Sequence, residues 1–165
     1  MKRTAFVAAF VVLAAISSHA KDWRGIVPLH STRADVERIL GAAETDRGSA
    51  IFYTIDFNRV MIAFPEARCG QPGSQWNVAS NIVTDIWVGG EPSHKMRFRD
   101  INVSSGFRAE KDPELGYILY YINDVEGISY EVDNRYGTDT GGAVVVYTKY
   151  FPPAKENNMR CPVKR

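Results

Sequence analysis

Apolar residues along this chain recur with two different periods. After Ser31 and Thr32, both good helix N-caps, Val36, Ile39 and Leu40 fall at i, i+3 and i+4. Asp35 stands three residues after Thr32, close to a capping-box arrangement, and Gly41 suits the left-handed residue that ends a helix. Arg33, Asp35, Glu37 and Arg38 cover the rest of the surface, so Asp35 and Glu37 read as a solvated helix face. The spacing therefore predicts one short helix, with Val36, Ile39 and Leu40 as its buried stripe. A helix that short is marginal alone and must dock on something.

Beyond it the period drops to two. "AIFYTIDFNRVMIAF" holds two strand-like runs around a turn near Asp56–Arg59, and "NIVTDIWV" is a third. The pattern returns downstream. "YYINDVEGISYEVDN" again places a polar turn before an alternating strand, with Ile128, Tyr130 and Val132 answering Val60, Ile62 and Phe64, and "AVVVYTKYF" follows. Two meanders of this kind fit a duplication, and equally fit two unrelated antiparallel units. The fold class expected is α+β: an antiparallel sheet of about six strands in two meanders, packed by the short N-terminal helix. Pro65–Ser80 is a long Gly- and Pro-bearing loop, the connector Gly89–Leu115 leaves room for a second short helix, and Pro152, Pro153 and Pro162 make the tail irregular.

The first twenty residues stand outside this pattern. Lys2 and Arg3 precede an apolar run from Ala5 to Ile16, and Ser18-His19-Ala20 supplies small residues at a cleavage site. That is the form of a secretory signal peptide, and the run is short for a membrane span. Residues 1–20 are read as the signal peptide and 21–165 as a single domain, exported to the periplasm or the cell exterior. No cysteine follows the leader to take a lipid anchor, and no later segment is apolar enough to span a membrane. Loss of Lys2 and Arg3 from 20 basic residues leaves 18 against 19 acidic ones. A net charge of −1 gives no electrostatic case for nucleic acid.

Two cysteines remain, Cys69 and Cys161. An even count in an exported chain points to a disulfide, and two thiols with no CxxC or HxxxH partner make a poor zinc set. No metal or cofactor is expected. His30 and His94 lack partners at ligand spacing, there is no GxSxG elbow, and no Walker or Rossmann glycine pattern occurs. "TDTGG" holds a single Asp139-Thr140-Gly141, which reads as a turn because proton-sharing aspartate chemistry needs two such loops. "DNRYGTD" fails as a calcium loop at Arg135, and the sequon at Asn102 reads as chance in a bacterial-type exported chain. No catalytic residue is assigned.

Aromatic residues are the remaining signal. Tyr120-Tyr121 and Tyr150-Phe151 must point to opposite faces of a sheet, and one helix covers only one face. Tyr120, Tyr130, Tyr147 and Tyr150 are therefore the candidate binding surface, with Trp76 and Trp87 as further large aromatics. The function expected is a non-enzymatic binding or envelope-assembly module, its partner an envelope or extracellular protein. The alternative is a secreted hydrolase using carboxylates such as Asp85 or Asp139.

"PLHSTRADVERILG" resembles the start of the small exported domains of the SmpA/OmlA class, to which BamE-like outer-membrane assembly components belong. The resemblance covers about the first third of the mature chain and implies a capped helix followed by antiparallel strands. That class carries a lipobox cysteine and a two-helix start, which this chain lacks. The two-unit arrangement is loosely similar to β-lactamase-inhibitor-like proteins, a tandem of α/β units. Over more of its length, the "WRGIVPLHSTRADVE" opening with "RC" mid-chain and "RCP" near the end resembles exported bacterial proteins with no assigned activity. That resemblance implies export and a disulfide.

Overall fold

The computed structural model describes residues 20–66, 69, 75–90, 95–103, 105–135 and 142–162. Residues 1–19 of the expected leader, His94 and Asp139 lie outside them. One helix, α1 (Arg33–Leu40), precedes eight strands: β1 (Thr45–Asp46), β2 (Ala50–Ile55), β3 (Asn58–Ala63), β4 (Asp85–Gly90), β5 (Arg108–Lys111), β6 (Ile118–Asn123), β7 (Ile128–Asp133) and β8 (Val144–Tyr150). All pair antiparallel in one sheet of order β1-β2-β3-β4-β8-β7-β6-β5. Each half is a four-stranded meander, and the halves meet last strand to last strand, β4 against β8.

This corrects the expected α+β sheet of about six strands: the sheet has eight, and the molecule is nearly all-β. The two extra strands are edges. β1 is two exposed residues, and β5 reads Arg-Ala-Glu-Lys with all four exposed. Neither has an apolar alternation to detect, because charged, short edges are how a sheet avoids pairing with other chains. Among the described residues of the connector, the expected second helix is a 3-10 turn, Phe98–Asp100, and the irregular tail holds a 3-10 helix, Ala154–Met159.

The helix begins as its sequence dictates. Thr32 Oγ1 accepts from the Asp35 amide at 3.1 Å, and the Asp35 carboxylate accepts from the Thr32 amide at 3.0 Å. These bonds hold the Asp35 carboxyl down at about 2. Val36 is fully buried and Leu40 partly so, but Ile39 is exposed at 37%. At about 100° per residue, Leu40 lies about 40° from Val36, while Ile39 lies about 60° to the other side. A helix of eight residues resting on one spot of the sheet covers the narrower arc.

One face of the sheet carries the core across β2, β3, β4, β8, β7 and β6. Over the first meander, Ile26 and Val36 pack on Ile51, Tyr53, Val60, Ile62 and Ile86. Over the second, no helix is present among the described residues. Phe98 and Ile101 of the connector cover Leu119, Tyr121, Tyr130, Val132 and Val145, with ring centroids 4.7 Å apart for Phe98–Tyr121 and 5.7 Å for Phe107–Tyr130. Cys69 and Cys161 form a disulfide spanning 92 positions. Beside it, Trp76 bridges Arg160 and the Cys161 amide donates to the Gln75 carbonyl at 2.9 Å, so the tail is laid along the mid-chain loop.

Candidate functional site: the open face of the sheet

With one face committed to the core, alternate residues on every strand point the other way. Cross-strand register assembles them into rows. One row runs Phe52, Met61, Trp87, Lys149, Ser129, Ile122. The next runs Thr54, Arg59, Gly89, Tyr147, Glu131, Tyr120. Phe52, Met61 and Trp87 are half-buried, while Arg59 and Tyr147 are exposed. They line a groove of about 560 Å³, reached at one end by Glu44 and Arg47 and at the other by Glu131.

The polar groups of this face divide into satisfied and unsatisfied ones. Lys149 Nζ donates to Asp85 Oδ1 at 2.7 Å and lies 4.4 Å from the Trp87 ring. Asp85 therefore has its ion-pair partner on the same face. Glu44 accepts from the Thr54 amide at 2.9 Å, and the Arg47 guanidinium lies 5.2 Å from the Phe52 ring. Arg59 and Glu131 are different: among the described residues neither makes an ion pair or hydrogen bond. Burial pushes the Glu131 carboxyl above its ordinary value, the Asp112 charge adds to this, and Lys95 opposes it. Asp112 itself is held low by the amides of Leu115 and Glu114, and it accepts from the Tyr120 hydroxyl at 3.1 Å. A register shift at Glu131/Val132, where β7 skips Val146 of β8, lies beside this cluster. Bulges of this kind bend a strand and re-aim its side chains.

The four tyrosines of the expected surface divide between the two faces. Tyr147, 42% exposed, and half-buried Tyr120 lie on the open face, flanking Glu131. Tyr130 and Tyr150 lie on the covered face, half-buried: Tyr130 packs against the second core cluster and Tyr150 against the first. Burial pushes the Tyr150 hydroxyl up to about 12. These two therefore lie apart from the groove. Trp76 is buried under the tail, whereas Trp87 joins the open face. Phe52, Met61, Arg59 and Glu131 were not picked out from the sequence. Their signal is positional: each alternates with a core residue on its strand.

His30 Nε2 lies 3.0 Å from Glu156 Oε1, joining the opening segment to the tail. Among the described residues no group of three or more His, Cys, Asp or Glu side chains is placed to hold a metal ion. No helix among them is long and apolar enough to cross a membrane. Fold and site together define a class: a disulfide-linked, single-sheet antiparallel protein with one face covered, and one left open, by the described residues. The chain matches no family model, no curated protein and no solved structure.

Proposed function

We propose that this protein is an exported, non-enzymatic binding or assembly module that docks a protein partner through the open face of its sheet. The single observation that carries the reading is the groove in which Phe52, Met61, Trp87 and Tyr147 lie together on a face that no other part of the described chain covers. Large aromatic and Met side chains at the centre of a surface, with charges at its margin, are the composition of protein interfaces. The partner that fits is a protein surface with an apolar centre, a carboxylate to meet Arg59 and a cation to meet Glu131. Export is supported by the leader-like start and by the Cys69–Cys161 pair, since disulfides persist in oxidising compartments. The periplasm or the cell exterior is the compartment proposed.

The test is site-specific photo-cross-linking in the living host. A photoactivatable residue replacing Met61 should give one defined adduct, and Tyr147→Ala should abolish it. The same probe replacing Ile39, on the outer side of α1, should give none. Absence of an adduct from Met61, Trp87 and Tyr147 alike would remove the reading. So would catalytic turnover by the purified protein that Asp85→Asn abolishes.

A further inference from the structure

We infer that the partner of the open face is a second copy of this chain, packed sheet to sheet about a two-fold axis that runs along the β4–β8 boundary. The inference rests on the reading of that face as a docking surface and names its occupant. Three observations carry it.

The first is the strand order. It reads the same number of strands outward from the β4–β8 boundary on each side, with β3 and β7 next and β2 and β6 beyond. A two-fold axis lying in the plane between two such faces superposes each strand of one half on the matching strand of the other half. A closed dimer needs this kind of self-complementary patch, in which residue i meets residue j and j meets i.

The second is charge. In the row Arg59, Gly89, Tyr147, Glu131, the axis passes between Gly89 and Tyr147. Arg59 and Glu131 then stand at equal distances on either side. Arg59 faces the partner's Glu131, and the partner's Arg59 faces Glu131. Of the four charged groups of the groove, Glu44 accepts hydrogen bonds from Thr54 and Arg47 lies against the Phe52 ring, whereas the side chains of Arg59 and Glu131 find no partner within the described chain, and burial already disfavours the Glu131 charge. Each is about 7 Å from the axis at ordinary strand spacing. Facing sheets rotated by about 30° displace the two groups by only about 4 Å, within the reach of an arginine. Lys149, nearer the axis, is neutralised by Asp85 and brings no repulsion.

The third is shape. Each Tyr147 ring leans across the boundary onto Gly89, which places it on the axis. The two Tyr147 rings meet there, over two glycine positions that leave them room, while Met61 and Trp87 close the apolar floor beside them.

Sedimentation velocity over a range of concentrations tests this on the protein recovered after export. The wild-type chain should show a concentration-dependent monomer–dimer equilibrium. Arg59→Glu and Glu131→Arg should each weaken dimerisation at least tenfold. The double variant R59E/E131R should restore it, and mixing the two single variants should yield a heterodimer, because each then presents only matched pairs. Rescue within one chain is excluded by distance, since the two positions are three strands apart, about 14 Å. Tyr147→Ser provides an uncharged second disruption, with circular dichroism showing each variant folded. A monomer at every concentration, or a dimer indifferent to both charge reversals, overturns the inference. If Met61 then cross-links to a different polypeptide, the docking reading stands without it; if Met61 cross-links to nothing, both fall.

Discussion

The Tyr147 ring occupies the space that a side chain on Gly89 would need: a β-carbon built there would stand 2.5 Å from Tyr147 Cε1. The two residues are direct cross-strand partners at the centre of the sheet, on its open face. Glycine inside a strand ordinarily costs stability through lost packing and gained chain entropy. Here it gives an aromatic ring a seat.

Gly89→Ala should therefore separate stability from binding. The displaced group is the end of an exposed side chain that can swing away, so unfolding free energy should change by less than about 1 kcal/mol. The Met61 cross-link should fall sharply because Tyr147 no longer lies flat. Chemical denaturation and cross-link yield on the same variant check the two halves. A large loss of stability with unchanged cross-linking would contradict the assignment.

The helix packs through one residue fewer than its sequence stripe implies, because Ile39 faces solvent. Val36→Ala, at a fully buried site, should cost about 2 kcal/mol, from two lost methyl groups and the space they leave. Ile39→Ala should cost less than about 1 kcal/mol because the side chain is largely in solvent. Urea unfolding of the two variants decides. Equal costs would mean that α1 docks in another rotation.

The disulfide holds the tail against the loop that carries Trp76. Closing a loop of 92 positions stabilises the fold by about 4–5 kcal/mol in the chain-entropy model. The paired replacement of Cys69 and Cys161 by Ser should lower stability by an amount of that order. Amide exchange should rise first at Asn77 and Cys161, whose N–H groups bond across the tail–loop contact. Unchanged exchange there would show that the tail is held by other means.

Acid titration should move two carboxylates in opposite directions. Asp35 sits below its ordinary value, at about 2, so its contribution to stability is complete above about pH 4 and is lost as pH falls towards 2. The advantage of wild type over Asp35→Asn should shrink across that window. Glu131 is raised instead, so the folded state binds its proton more readily than the unfolded one. Its ionised form opposes folding at neutral pH. Glu131→Gln should be more stable than wild type in dilute solution at pH 7, with the difference closing as pH falls through the carboxylate range. A less stable Glu131→Gln would contradict this.

What the sequence revealed follows from which residues are buried. Val60 and Ile62, and Ile128 and Val132, are the buried alternates of runs rich in strand-forming residues, because one face of their strands meets the core, and those strands were legible. β1 and β5 carry no such contrast, since both are exposed edges. The division of the tyrosines was hidden for another reason. Tyr147 and Tyr150 lie three apart on β8 and so take opposite faces, but which face is buried depends on pairing with β4, a contact between chain ends of the two meanders. Local periodicity carries no information on that junction. Arg59 and Glu131 stand in one row only because of it, which is why neither stood out as a site residue in the linear sequence.

Hydroxyl-radical footprinting tests the proposed docking face most directly, by comparing the protein in its host cells with the purified protein in dilute solution. Met61, Trp87 and Tyr147 should be protected in the cells. Met96 and Tyr117, exposed at 48% and 39% outside the groove, are controls of like chemistry and should oxidise equally in both. Equal oxidation of Met61, Trp87 and Tyr147 in the two settings, or protection of Met96 and Tyr117 instead, would contradict the open sheet face as the site of binding.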